Sequence, residues 1–116
     1  MDPTPSTSKQ VNQLVHTWLE CDPDFQMWDA VSEEPEIAWK TILQILKNDL
    51  ADEKLSLLAA GPMEDLLVKH GESFIDRIEQ EARENSNFNH LLGGVWPKRI
   101  PAHIWERVAK VRKIQW

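Results

Sequence analysis

Tyrosine is absent from this 116-residue chain, cysteine occurs once and glycine only four times. So little glycine argues against a loop-rich or low-complexity chain. A lone Cys21 has no partner for an internal disulfide, which excludes a cross-linked secreted scaffold and fits a reducing compartment. No apolar run reaches 18 residues, and Met1–Gln10 is polar with two prolines, so neither a membrane span nor a signal peptide is expected. The expectation is a soluble, cytoplasmic protein. At this length one domain, burying roughly 65% of its unfolded surface, can hold a real core without staples.

What the chain does have is acid and tryptophan. Its formal charge is −6, and the charge is unevenly spread. Residues 1–95 carry 18 acidic and 7 basic side chains, whereas Lys98, Arg99, Arg107, Lys110, Arg112 and Lys113 face Glu106 alone over residues 96–116. The two parts either attract each other or serve different partners. Of the six tryptophans, Trp18, Trp39 and Trp105 fall on apolar faces, while Trp28, Trp96 and Trp116 lie in or beside irregular segments. Exposed tryptophan is a favoured interface anchor, although core packing is its ordinary use.

The periodicity is helical throughout. Residues 1–6 read as a disordered arm, and Thr7-x-x-Gln10 has the form of a capping box before residues 7–116, a single α-helical domain. Val11, Leu14, Val15, Trp18 and Leu19 make one amphipathic face. Asp22-Pro23 breaks that helix and leads into a short turn carrying Phe25, Met27, Trp28 and Val31. Ser32-Glu33-Glu34-Pro35 opens a central helix with Ile37, Ala38, Trp39, Ile42, Ile45 and Leu46 inward. Asp49 or Asp52 caps the next. Gly61-Pro62 then reads as a sharp boundary, and Gly71 as a left-handed stop after a short helix. Phe74, Ile75, Ile78 and Ala82 define another helix whose outer face carries Glu72, Asp76, Glu79 and Arg83, with Glu79 and Arg83 placed to pair. Asn85-Ser86-Asn87 is a turn, and Pro101 opens a last helix with His103, Arg107, Lys110 and Lys113 along one side. No two-residue alternation marks a strand. The fold class is therefore all-α, a single compact domain of six or seven short helices in orthogonal or HEAT-like packing.

Chemistry is harder to find. The four histidines are scattered, and His16, Glu20 and Cys21 are the only ligand-like grouping, short of what a zinc site needs. Carboxylates beside Cys21 raise rather than lower a thiol pKa. No P-loop, dinucleotide fingerprint or serine-nucleophile motif occurs. No cofactor and no metal are expected.

The stretch Leu58-Ala59-Ala60-Gly61-Pro62-Met63-Glu64-Asp65-Leu66-Leu67, followed by His70-Gly71, Phe74-Ile75 and Leu91-Leu92-Gly93-Gly94-Val95-Trp96, carries a resemblance. With Ala38-Trp39 and Ile42-Leu43 upstream, residues 35–96 are similar to a family of small bacterial α-helical proteins, a domain of unknown function with an A-G-P-L-E-D-L-L…H-G signature. Met63 stands where that family more often has leucine, a volume-conserving change. The resemblance implies the fold and no activity. By analogy of context, many such bacterial proteins accompany toxins or mobile elements.

Small size, acid excess, surplus tryptophan and missing catalytic motifs lead to a non-enzymatic protein-binding module, an immunity or antitoxin-type protein that neutralises a bacterial toxin through an acidic surface. Its partner is expected to be a basic protein rather than nucleic acid or a membrane. Asp22, Asp24, Glu33, Glu34, Glu72, Asp76 and Glu79 are the candidate partner-binding acids, with Trp28 as apolar anchor. Two alternatives stand beside it: a DNA-associated regulator using Arg107, Lys110 and Lys113, and a small enzyme with a Glu64/Asp65/His70 site. Docking of the basic C-terminal helix on the protein's own acidic surface, or on a second chain, is the expected use of its charge.

Overall fold

The computed structural model describes residues 5–20, 25–97 and 99–113, without the side chains of residues 5–8, 25, 26 and 28. Among the described residues there are seven α-helices and no strand. They are α1 (Pro5–Glu20), α2 (Phe25–Glu33), α3 (Pro35–Ile45), α4 (Asp52–Leu58), α5 (Glu64–Glu84), α6 (Ser86–Leu92) and α7 (Ala102–Val111). A single all-α domain results, with a radius of gyration of 13.2 Å, close to the roughly 13 Å expected of a globule this size.

Helix α3 is central, as its wide apolar arc requires. Ile37, Ala38, Trp39, Ile42 and Ile45 are buried, and Thr41 joins them because its hydroxyl donates to the Ile37 carbonyl at 2.7 Å. Trp39 meets Phe88 edge-on at 5.4 Å and Phe74 at 5.8 Å, tying α3 to α6 and α5. Such ring pairs contribute roughly 0.5–1.5 kcal/mol each beyond their buried area. Trp18, Met27, Val31, Leu58, Met63, Leu66 and Leu67 complete the core. Trp18 is fully buried with its indole N–H unpartnered, and Lys54 Nζ lies 5.2 Å from its ring centre. Trp105 is only partly buried, with the Arg112 guanidinium stacked 4.6 Å from its ring centre.

Several boundaries differ from those the sequence predicts. Helix α1 begins at Pro5, so Pro5 and Ser6 belong to a helix and Thr7 is no cap. Proline fits a first helical turn, where no N–H is needed. Helix α2 runs to Glu33, which puts Ser32 inside it rather than at the cap of α3. That position falls to Glu34, with Pro35 first in the helix and no side-chain cap. Asn85, expected as turn, does cap: its carboxamide oxygen accepts from the Asn87 and Phe88 amides. Cys21, Asp22, Pro23 and Trp116 lie outside the described residues.

The largest correction concerns Gly61-Pro62 and Gly71. Residues Ala59–Met63 form a π-helical turn that carries α4 into α5 without a break. Proline in a helix interior removes one hydrogen bond and crowds the carbonyl four residues back. The widened turn absorbs this, and the Glu64 amide reaches Ala59, five residues back. Glu64 and Asp65 therefore do not sit at a free helix start. Gly71 is no left-handed stop, since no described glycine has a positive φ. The expected helix end does fall there, one residue earlier, as a kink: α5 spans 21 residues, and its segments 64–69 and 71–84 meet where His70 takes φ −135° and ψ 23°.

Gly71 serves a close approach instead. A Cβ there would lie 3.1 Å from Cγ2 of Ile104, so the missing side chain lets α7 press against α5 and bury Ile104 and Val108. A Cβ at Gly61 meets nothing within 4 Å. Gly71→Val is expected to cost about 1–3 kcal/mol in urea denaturation through overpacking. Gly61→Ala is expected to be neutral or up to about 1 kcal/mol more stable, because alanine is the better helix former. Equal effects at the two sites would remove the close-approach account.

Candidate functional site

The docking of α7 on α5 determines what becomes of the acidic stripe. His103 Nε2 lies 3.0 Å from Glu72, and Arg107 donates twice to Glu79, at 2.6 and 2.9 Å, and once to Asp76 at 2.7 Å. Pairing runs upward in both helices, so α5 and α7 lie parallel. Glu79, expected to pair with Arg83 on its own helix, is thus held by Arg107, and Arg83 only adds attraction from a distance. Arg107 also keeps the Glu79 carboxyl below its ordinary value of 4.5, first through its hydrogen bonds and then by Coulomb attraction. Arg77 does the same for Glu36 through two bonds of 2.6 and 2.8 Å. Arg99 pairs with Asp65 at 3.2 Å.

These pairings sort the candidate residues. Glu72, Asp76 and Glu79 are brought together, but toward α7. Glu33 and Glu34 are brought together elsewhere, on the wall of a concavity of about 540 Å³ between α1, α2 and the start of α3. Asp29 joins them there, with Gln10 and Gln13 opposite and Leu14, Ala30 and Ile37 as an apolar floor. None of the three carboxylates has a hydrogen bond or ion pair among the described residues. Asp22 and Asp24 lie outside the described residues, as does the side chain of Trp28. Asp29, Gln10 and Gln13 were not legible as site residues, because only the packing of α1 beside α2 makes a groove of them.

Electrostatics at the groove are one-sided. Glu33 ends α2, a helix with no basic residue in its last turn, so the negative end of its dipole adds to the carboxylates. Such a groove can hold ammonium or guanidinium groups while their aliphatic stems cover Leu14 and Ile37.

The alternative sites look different. Glu64 is buried, Asp65 faces Arg99, and the His70 Nε2 is buried without a partner. No hydrogen bond or ion pair joins the three. On α7, Arg107 is committed to α5, and Arg112 donates to the Val95 carbonyl while stacking on Trp105. Lys110 and Lys113 remain exposed. Among the described residues no three His, Cys, Asp or Glu side chains are grouped to hold a metal, and no helix is long and apolar enough to cross a membrane.

Fold and surface together define an all-α domain with one acidic stripe engaged by α7 and one acidic groove whose carboxylates pair with nothing among the described residues. The chain belongs to DUF6869, a family of unknown function whose model matches residues 8–115. Comparison with curated proteins and with solved structures returned no match.

A carboxylate whose folded pKa is depressed adds stability above its unfolded pKa and loses it as pH falls through the folded value. The Arg107–Glu79 contact is therefore expected to contribute fully above pH 4.5 and to fade in more acid solution. Melting temperatures of the wild type and Arg107→Gln should differ at neutral pH and converge below pH 4.5. A constant difference across that range would mean that Glu79 does not titrate against Arg107.

Proposed function

We propose that this protein is a non-enzymatic binding module that takes a basic segment of another protein into the groove between α1, α2 and α3. The observation that carries this reading is the state of Asp29, Glu33 and Glu34: three carboxylates around an apolar floor, with no cationic side chain paired to them among the described residues. A net charge of −6 steers a basic partner inward, and the groove then fixes its register. An immunity or antitoxin-type protein has this requirement. Covering the basic surface with which a toxin would hold phosphate calls for fixed carboxylates and apolar contact rather than catalysis. Glu72, Asp76 and Glu79 leave the partner-binding set in this reading, and Glu33 and Glu34 remain with Asp29 added.

The test is affinity capture from nuclease-treated lysate of the source organism, comparing the wild type with Glu33→Lys/Glu34→Lys. A stoichiometric basic protein is expected on the wild type, weakened at least about tenfold on the variant, a loss of about 1.4 kcal/mol. Glu72→Gln, outside the groove, should capture as the wild type does. A partner held equally by the groove variant would overturn the groove as the site. Capture that vanishes on nuclease treatment would replace the basic protein with nucleic acid.

A further inference from the structure

Helix α1 is flanked by two grooves of opposite sign. Gln10, Gln13 and Leu14 turn toward the acidic one, whereas Val11 and Asn12 turn toward another on the far side. At about 100° per residue these sets fall on either side of the stripe that α1 buries on α3, which runs through Val11, Leu14, Val15 and Trp18. The second groove encloses about 670 Å³ between α1, α3 and the α5–α6 corner. Leu43 and Leu46 form its floor, and Lys40 and Lys47 stand on its wall. It continues into a hollow of about 300 Å³ that shares Leu46, Lys47 and Asn87.

The lysines there are unspent. Neither is in an ion pair within 4 Å among the described residues, and Glu36, which Lys40 also attracts, is already held in a fork by Arg77. The groove's own acid, Glu81, accepts from the neutral Asn85 carboxamide at 3.0 Å and keeps its charge, and Asp49 lies in the adjoining hollow. Lys40 and Lys47 leave the groove itself one charge positive, against three carboxylates on the opposite flank.

A face whose charge reverses across a central ridge is complementary to itself. Rotation by half a turn about an axis parallel to that ridge lays the negative flank of one copy on the positive flank of the other, twice over. This is the self-matching geometry of a closed dimer. We infer that two copies of this chain associate through this face, the Lys40/Lys47 groove of each taking the Asp29/Glu33/Glu34 edge of the other, with the two α1 helices parallel. The net charge of −6 on each copy opposes the contact. Near 0.15 M salt the screening length is about 8 Å, so repulsion between distant charges is damped more than attraction between groups brought into contact. Opposed charges set register, and covering the partly buried Leu14 and Leu43 supplies the apolar part. Association of this kind is concentration-dependent and suppressed at high salt.

The inference uses the acidic groove but not the identity of any foreign partner, and the two uses of that groove exclude one another. Sedimentation velocity on the purified chain between about 10 and 200 µM, a range that brackets micromolar affinity, is expected to show a monomer–dimer equilibrium. Glu33→Lys/Glu34→Lys and Lys40→Glu/Lys47→Glu should each sediment as monomers throughout. Combining all four substitutions exchanges the flanks while keeping the net charge, and it should restore the dimer. Circular dichroism checks each fold, and Lys47→Glu alone, at an exposed position, gives a milder variant that should shift the equilibrium toward monomer. A monomeric wild type, either double variant dimerising like the wild type, or a monomeric fourfold exchange overturns the inference. Lys40→Glu/Lys47→Glu keeps the acidic groove, so capture of a basic protein by that variant reports on the proposed function separately.

Discussion

The contact on which the rest of the structure depends is the seating of α7 against α5. Ile104 occupies the space that Gly71 leaves empty, and this close approach, rather than any ion pair, sets the distance between the helices. Burying an isoleucine and a valine is worth roughly 1.5–3 kcal/mol each, whereas a surface ion pair contributes roughly 0–1 kcal/mol. The ion pairs have a different consequence. His103 and Arg107 are four residues apart, as are Glu72 and Asp76, so two helical stripes of hydrogen-bonding partners meet in a single register. Apolar burial holds α7 in place, and charge determines how it slides and rotates there.

That seating also redistributes the electrostatics of the molecule. Residues 96–116 bring six of the thirteen basic side chains, and α7 delivers Arg107 to the outer face of α5. Arg99 is used on Asp65 near the start of the same helix. Asp29, Glu33 and Glu34, beside α1, are not reached by Arg99 or Arg107, which are spent on α5, while Lys110 and Lys113 stay exposed.

The helices themselves were legible because periodic burial repeats over many residues. Val11, Leu14 and Trp18 on α1, and Ile37, Ile42 and Ile45 on α3, point inward as their spacing requires. Misreadings fell on single-residue punctuation. Gly61-Pro62 is a strong local signal for a stop, yet the helix passes through it because a π turn accommodates the proline. At Gly71 the helix does break, beside it at His70, but as a kink without a left-handed cap, and the missing side chain answers to Ile104, 33 positions later. Local rules see a glycine's freedom and not the neighbour that needs its missing side chain. Likewise, the acidic and basic stripes could be read separately, and their pairing stood among the expected outcomes, but spacing alone could not choose between an internal mate and a foreign one. Glu33 and Glu34 were legible as acids at a helix junction. Their groove was not, since Asp29 and Gln13 acquire a shared function only when two helices are set side by side.

The two grooves beside α1 have a common origin in the width of one apolar stripe. A helix packed into a core usually buries an arc of more than about 100°. Among the described side chains of α1 only Val11 and Trp18 are fully covered, while Leu14, Val15 and Leu19 are partly so. A stripe so narrow lets α1 rest on α3 along a line and leaves a cleft on each flank. Polar side chains then line the clefts without having to be buried, and nothing in the core opposes their keeping one sign of charge. On α7, by contrast, Arg107 reaches over the apolar contact to Asp76 and Glu79 on α5. The surfaces most open to a partner are thus on the helix whose hold on the core is narrowest, where a substitution of the cleft-lining charges disturbs the core least.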